Sequence, residues 1–421
     1  MGRAVRHPGE LRWETRLLGV ITLVLLVFGV AATYGASSLV TLRGETVGAT
    51  FALRQLGGAV VGGVLLLWLS RTDYWRWRDW AWPLLFVTIV FLLLPLLPFT
   101  RAIAPTVNGA RRWVNFGPAN FQPSELARLA VVIWCAMLAS KKGAQIREFK
   151  RGVLPFILVL GFVALLIVLE PNLSMATLVA FLGGLVLFSA GAKIGHFVIL
   201  GAVGMIAVFH QITDAQYRFA RLHTFLNPGE GALAGGFQIH QSLIGIGSGQ
   251  WLGLGFGEGH QKLGYLPYAY SDFLFSTIGE EWGFIGVLFI VLLFALFVWL
   301  GLRIARTASD PFGQYLAVGL TCTIGLTAFM HMAVSLGMMP TTGLTLPFMS
   351  YGRSSEVISL AGTGILINIG RLRGKTERRT GERRSEARTT AERRQGERRG
   401  RGAAGRPSGR TVTSAHAARS D

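Results

Sequence analysis

Long apolar runs, interrupted at intervals by Lys, Arg, Pro and Gly, set the pattern of this chain as far as about residue 370. Between those breaks the runs lie near 17–35, 52–70, 80–98, 124–140, 153–170, 173–190, 195–210, 273–301, 313–338 and 348–370. They approach the roughly 20 residues that an α-helix needs to cross a bilayer. The pattern therefore predicts an all-α polytopic membrane protein with ten transmembrane helices. The division at Glu170-Pro171-Asn172 rests on length, because a run from 153 to 190 is too long for one crossing and Pro171 supplies the break. A tight helical hairpin is expected there.

The connections between runs differ in charge. With the N-terminus inside, the cytoplasmic segments hold fifteen Lys and Arg, including Arg3, Arg6, Arg12 and Arg16 before the first run and Lys141 to Arg151 after the fourth. The opposite side, despite longer loops, holds seven: Arg43, Arg101, Arg111, Arg112, Arg218, Arg221 and Lys262. This bias places both termini in the cytoplasm, which agrees with an even number of crossings. The first run is longer than the roughly 7 to 15 residues of a removable signal core, so it reads as an uncleaved anchor. The two long external loops are about 99–123 and about 211–272, the second lying between spans 7 and 8. Its glycine-rich stretch, Gly245 to Gly259, reads as a flexible lid or as backbone partly at membrane depth. Gly253, Gly255, Gly257 and Gly259 make no nucleotide fingerprint, since no strand precedes them.

Composition narrows the classes further. Of 421 residues, 51% are hydrophobic and 15% charged. The two cysteines, Cys135 and Cys322, both lie in apolar runs, which excludes a disulfide framework and a CxxC motif. No histidine pair has zinc-ligand spacing, and His331, inside an apolar run, reads as a helix–helix hydrogen bonder. Residues 1–372 thus form the expected membrane domain. Residues 373–421 form an expected disordered basic cytoplasmic tail in which Glu-Arg-Arg recurs at 377–379, 382–384, 392–394 and 397–399. Such a tail suits anionic lipid headgroups or a docking partner. Without interleaved aromatics to stack bases, no nucleic acid is expected.

One acid stands out. Asp272 sits where a polar, Pro-containing loop, Tyr265 to Ser271, enters the eighth apolar run. It reads either as an ordinary helix cap near the headgroups or as a functional group, since an ionised acid beside hydrocarbon is costly to keep.

Four stretches together resemble the shape, elongation, division and sporulation (SEDS) family, the RodA/FtsW type of membrane protein. They are Asn108-Gly109-Ala110-Arg111-Arg112-Trp113 with Phe121-Gln122-Pro123-Ser124-Glu125-Leu126-Ala127-Arg128; Glu170-Pro171-Asn172-Leu173; Tyr265-Leu266-Pro267 through Asp272 to Gly279-Glu280-Glu281; and Pro347-Phe348-Met349-Ser350-Tyr351-Gly352. The loop from Gly257 to Pro267, with Lys262, is somewhat closer to the division (FtsW) branch. The resemblance implies a peptidoglycan glycosyltransferase of the bacterial cytoplasmic membrane, polymerising lipid II on the outer face beside a class B penicillin-binding transpeptidase. It also places the family's catalytic aspartate at Asp272. Departures accompany it: Tyr268 and Tyr270 stand where a Glu and a His are usual, Arg128 where Lys is usual, Asn172 where Asp is usual, and Arg353 where Gly is usual, with Glu356 following. Arg353 and Glu356 have the spacing to offset one another.

The chemistry implied by the resemblance assigns further candidates. A sugar hydroxyl is a poor nucleophile at neutral pH, so Asp272 is the expected general base. The departing pyrophosphate calls for positive charge, from side chains or from a divalent cation such as Mg2+ or Mn2+. No cofactor is assigned and no metal ligand is identified. Arg111 and Arg112 are candidates for holding phosphate or for snorkelling to headgroups; Lys262, Arg218 and Arg221 are weaker candidates of the same kind. Glu125 and Arg128 are expected to pair within the membrane and to shape the substrate cavity, or to be purely structural. Glu280 and Glu281 are expected to anchor helices. Two competing functions remain at this stage: a lipid-linked-precursor flippase or transporter, and a non-catalytic division scaffold.

Overall fold

A computed structural model of the chain describes residues 13–38, 41–42, 45–46, 48–107, 109–117, 120–226 and 234–372. The expected basic tail over 373–421, together with Arg3, Arg6, Arg12, Arg43 and Asn108, lies outside the described residues.

The described chain is helical throughout its apolar runs. Helices α1 to α6 are Trp13–Ser37, Gly48–Leu69, Arg76–Leu93, Pro123–Lys142, Leu154–Leu169 and Leu173–Ser189. Then come α7 (Ile194–Thr213), α8 (Gln216–Leu226), α9 (Ala234–Ser248), α10 (Leu274–Arg306), α11 (Pro311–Ser335) and α12 (353–372). Eight of the described helices are long and apolar enough to cross a membrane: α1 to α5, α7, α10 and α11. The apolar α6, 17 residues long, is shorter, and α12 carries Arg353, Glu356 and Asn368. The only strands among the described residues are two-residue pairings, such as Val114–Asn115 with Asn120–Phe121.

Helix α4, the least apolar of the eight, is the most enclosed, with Ala127, Val131, Val132 and Ala136 fully buried. It packs between α3, α6 and α11. Polar side chains that would be intolerable against lipid, Ser124, Glu125 and Arg128, are thereby kept inside protein. Helix α7 is the opposite case: none of its residues is buried, and its apolar surface suits hydrocarbon.

Side-chain links tie the loops into two groups at the two ends of the bundle. At one end, Glu14 of α1 pairs with Arg303 of α10, the Tyr74 hydroxyl donates to Asp310, and Tyr74 N donates to Asn368 of α12 at 3.0 Å. At the other, Gln55 donates to Ser350 O at 3.3 Å, Gln122 N donates to Ser354 Oγ at 3.2 Å, Arg112 donates to the α5–α6 turn, and Tyr351 N donates to Tyr270 O at 3.1 Å. The described chain thus begins and ends at the first group. Asp272 lies at the second.

Two features depart from the sequence pattern. The stretch 211–272, expected as a loop, contains two helices, α8 and α9. Helix α9 packs on α10 although Gly235, Gly236, Gly245 and Gly247 depress its intrinsic propensity; tertiary packing overrides that weak preference. The second feature is a break inside α10 at Gly283, whose φ is 64° and ψ −162°.

Candidate active site

Asp272 is presented by a tight turn. Tyr268 adopts a left-handed φ of 59°, and its carbonyl accepts from Ser271 N at 3.1 Å and Asp272 N at 3.0 Å. Non-glycine residues in that region cost energy and gather at functional sites. Phe273 is buried and starts α10, which fixes the carboxylate at the helix mouth. Asp272 itself is half-buried. Burial raises its carboxyl above the ordinary aspartate range, while the Ser271 hydroxyl and the charge of Arg221 pull the other way. A carboxylate so placed, when ionised, is a better proton acceptor than a solvent-exposed aspartate.

Three elements close around this turn. The ring of Phe51, from α2, lies 4.6 Å from Tyr270 and 5.0 Å from Tyr351, so aromatic packing joins α2, the Asp272 turn and the 347–352 segment. Tyr270, found where the resemblance leads one to expect a titratable histidine, is part of this cluster. From the α11–α12 connection, Gly343 has a φ of 69°, and a Cβ there would sit 3.8 Å from Asp272 Oδ2. From α8, Arg221 reaches the Thr341 carbonyl at 3.5 Å.

The glycine-rich loop is held by the two glutamates that follow Asp272. Glu280 Oε1 accepts from His260 N at 2.7 Å and Gln261 N at 3.2 Å. Lys262 is buried, donates to the Gly257 carbonyl, and stands 3.4 Å from both Gly35 O and Glu281 Oε1. Glu280 and Glu281 therefore anchor a loop to a helix, where the sequence suggested helix to helix. Lys262 is part of that anchor.

Arg111 and Arg112 are also engaged. Arg111 donates to Ala104 O at 2.9 Å, Leu97 O at 3.0 Å and Thr100 Oγ1 at 3.1 Å, which makes it a clamp within its own loop. Arg112 donates to Glu170 O at 3.1 Å and to the Pro171 carbonyl, joining the first motif to the second. Asn172 caps α6 by accepting from Met175 N at 3.4 Å, and its amide donates to Ser124 Oγ at 3.4 Å. An aspartate could accept the first bond but not donate the second.

The expected Glu125–Arg128 pair forms at 2.8 Å, with the Arg128 side chain wholly buried. Arg128 also donates to Thr327 Oγ1 at 3.1 Å and Ser359 Oγ at 3.4 Å, so it ties α4 to α11 and α12. The offset foreseen between Arg353 and Glu356 does not appear: both Glu356 oxygens are buried without a hydrogen-bond partner, turned against Gly58 of α2. His331 bonds the Leu344 carbonyl through Nδ1 at 2.8 Å, a loop group and not another helix. Among the described residues no group of three or more His, Cys, Asp or Glu side chains could hold a metal ion, so no residue set is assigned to Mg2+ or Mn2+. Arg221, a weaker candidate from the sequence, is brought by the packing of α8 to where its charge acts on Asp272.

Comparison with known proteins bears on the family and the fold. The FtsW/RodA/SpoVE family, described as cell cycle proteins, matches residues 15–375. The chain is 40% identical over 365 residues to a probable peptidoglycan glycosyltransferase FtsW of Trichlorobacter lovleyi, covering 87% of this chain and 95% of that one. It is 38% identical over 355 residues to stage V sporulation protein E of Bacillus subtilis, covering 84% and 96%. Among solved structures, a chain of a peptidoglycan synthase complex that coordinates polymerization and crosslinking superposes with a TM-score of 0.70 at 27% identity, covering 85% of this chain and 97% of that one. The rod shape determining protein RodA of Thermus thermophilus gives a TM-score of 0.62 at 26% identity, covering 85% and 96%. With the matching motifs, the shared helical fold and these relatives in hand, the chain belongs to the FtsW/RodA/SpoVE family of cell cycle proteins.

Proposed function

We propose that this protein is a peptidoglycan glycosyltransferase of the cytoplasmic membrane, polymerising lipid II at its outer face with Asp272 as general base. The chain crosses the membrane ten times, both termini are cytoplasmic, and its partner is a class B penicillin-binding transpeptidase. The observation that carries this reading is the half-buried Asp272 carboxylate, held by a strained turn at the mouth of α10 and reached by loops from α2, α8 and the α11–α12 connection.

In the reaction, the 4-hydroxyl oxygen of the acceptor sugar attacks the anomeric carbon of the lipid-linked donor. Its proton passes to Asp272 as the new carbon–oxygen bond forms. The bond from the anomeric carbon to the pyrophosphate oxygen breaks with its electron pair, and undecaprenyl pyrophosphate departs. A positioned base contributes typically 100- to 10,000-fold to such a step, as a rough range. Because burial lifts the Asp272 carboxyl, its conjugate acid is easier to form than that of a solvent-exposed aspartate.

The test is polymerisation of purified lipid II by the purified chain, with and without its transpeptidase. Asp272→Asn, nearly isosteric, is expected to abolish glycan formation while leaving membrane expression intact. Near-normal polymerisation by that variant would rule out Asp272 as the base. Lipid II movement across vesicles with no glycan formed, unaffected by Asp272→Asn, would identify a flippase instead.

A further inference from the structure

We infer that Phe51 of α2 is a positioning residue for polymerisation: its ring, packed against Tyr270 and Tyr351, holds the turn that presents Asp272 in the orientation a general base needs. The inference rests on the glycosyltransferase reading and adds to it a residue outside the four stretches that carry the family resemblance. Phe51 acts through Tyr270. Its ring centroid lies 4.6 Å from that of Tyr270 and 5.0 Å from that of Tyr351, and the two tyrosine rings meet edge to face at 5.8 Å. These spacings are those of aromatic side chains in contact. Tyr351 N also donates to Tyr270 O at 3.1 Å, so backbone and rings join the same two residues.

The turn needs holding because of its backbone. The left-handed φ of 59° at Tyr268 costs a non-glycine residue energy and persists only where the surroundings over-determine it. Support comes from both sides. On one, Leu266, Ala269 and Phe273 are buried in a small apolar cluster with Val334 at the end of α11, and Met339 packs against it. That cluster takes residues on either side of Tyr270 and not Tyr270 itself. On the other, Phe51 packs on Tyr270, which lies inside the loop closed by the hydrogen bond from Asp272 N to Tyr268 O at 3.0 Å. A displaced Tyr270 therefore carries Asp272 with it. Helix α2 is fixed along the same seam: Gln55 donates to Ser350 O at 3.3 Å, and Gly58 and Gly62 leave the space that Glu356 and Leu360 of α12 fill. Phe51, Gln55, Gly58 and Gly62 recur at helical spacing, so one face of α2 follows this seam and brings Phe51 to the Asp272 turn.

The placement of Asp272 has a signature in pH. Burial raises its carboxyl above the ordinary aspartate range, and a general base works only while ionised. A turn that loosens admits water to the carboxylate, so its pKa falls toward the ordinary value and the acid limb of the rate profile moves to lower pH. The other ionisable groups around the turn are Arg221 from α8, Tyr268 and Tyr270 on the turn itself and Tyr351 from the segment packed on it. A substitution at Phe51 changes the charge of none of them. Packing lost without movement of the turn lowers stability and leaves that limb where it was.

The experiment compares purified full-length wild type, Phe51→Leu, Phe51→Tyr and Leu53→Ala, with Asp272→Asn as reference, in lipid II polymerisation across pH and in thermal unfolding in detergent. Phe51→Leu is expected to lower kcat by about 10- to 100-fold, the scale of a misplacement of roughly 1 Å. It is expected to leave KM for lipid II within about twofold, as for an interaction made in the transition state, and to move the acid limb to lower pH. Phe51→Tyr, which keeps the ring, should recover most of kcat. Leu53→Ala, at a position 67% exposed on the same helix, should match wild type. Phe51→Met, also without a ring, gives the same comparison if Phe51→Leu folds poorly. Wild-type kcat and an unmoved acid limb in the ringless variants, with Asp272→Asn inactive, would overturn the inference and leave the general base standing. A lower kcat that follows the melting temperature, with the acid limb unmoved and no recovery in Phe51→Tyr, would reduce Phe51 to a structural residue. Normal polymerisation by Asp272→Asn would instead remove the reading on which the inference rests.

Discussion

Glu170 occupies the turn between α5 and α6 at 1% exposure, with neither carboxylate oxygen hydrogen-bonded. Burial pushes its pKa up to about 9, although the Arg112 charge opposes the shift. The folded chain therefore holds a proton at neutral pH that the unfolded chain releases near pH 4. For a raised carboxyl, the stabilising contribution is complete below the unfolded value and is lost as pH rises through the folded one. Relative to Glu170→Gln, wild type is expected to lose stability between about pH 5 and pH 8, by at most about 1.4 kcal/mol per pH unit. Thermal unfolding in detergent at the two pH values measures this directly, and a pH-independent difference would contradict it. The sequence could name Glu170 and Asp272 as acids near hydrocarbon. It could not say that one is closed off against Arg112 while the other stays half open beside Arg221, because both partners come from distant parts of the chain.

At the scale of elements, the informative feature is the break in α10. An interrupted helix leaves carbonyl and N–H groups without intrahelical partners, and at membrane depth these must be met by protein. The segment following α9 meets them: Leu254 N donates to Glu280 O at 2.9 Å, Gly255 N to Glu281 O at 3.1 Å, Phe284 N to Gln250 O at 2.8 Å and Ile285 N to Trp251 O at 3.2 Å. Such close backbone approach leaves no room for a side chain. At Gly253, φ is 82° and an added Cβ would lie 2.2 Å from the Glu281 carbonyl oxygen. Gly253→Ala is expected to destabilise the protein by about 2–4 kcal/mol, combining left-handed strain with overpacking. A fall in melting temperature in detergent checks it, and an unchanged melting temperature would mean that the break is not held in this way. The glycines at 253 to 259 were visible in the sequence as a special backbone. Their partner was not, since nothing local marks Gly283 as the point where a continuous apolar run changes direction.

For the whole molecule, the charge bias and the two groups of loop contacts make one statement about orientation. Residues at the end that carries Asp272 should face outward and those joining Tyr74, Asp310 and Asn368 inward. With Cys135 and Cys322 replaced, single cysteines at Arg101 and Arg147, both exposed, test this with a membrane-impermeant maleimide. Arg101→Cys is expected to label in intact cells and Arg147→Cys only after permeabilisation; the reverse pattern would place Asp272 in the cytosol and remove it from lipid II polymerisation. Assembly of the bundle also settles residues that look alike in isolation. Arg128 becomes a buried link among α4, α11 and α12, whereas Glu356, one turn from Arg353, is left pressed against α2 without a hydrogen bond.

The linear order of residues was sufficient for the membrane class, for the positions of the apolar helices and for the aspartate at the mouth of α10. Those features depend on run length, hydrocarbon thickness and the cost of a lone acid beside lipid, all of which act locally along the chain. Tertiary structure alone decided which cations hold the scaffold and how a helix broken at Gly283 is satisfied. Each of those outcomes turns on a backbone carbonyl or carboxylate supplied by a segment far away in sequence, and spacing along one chain carries no record of that meeting.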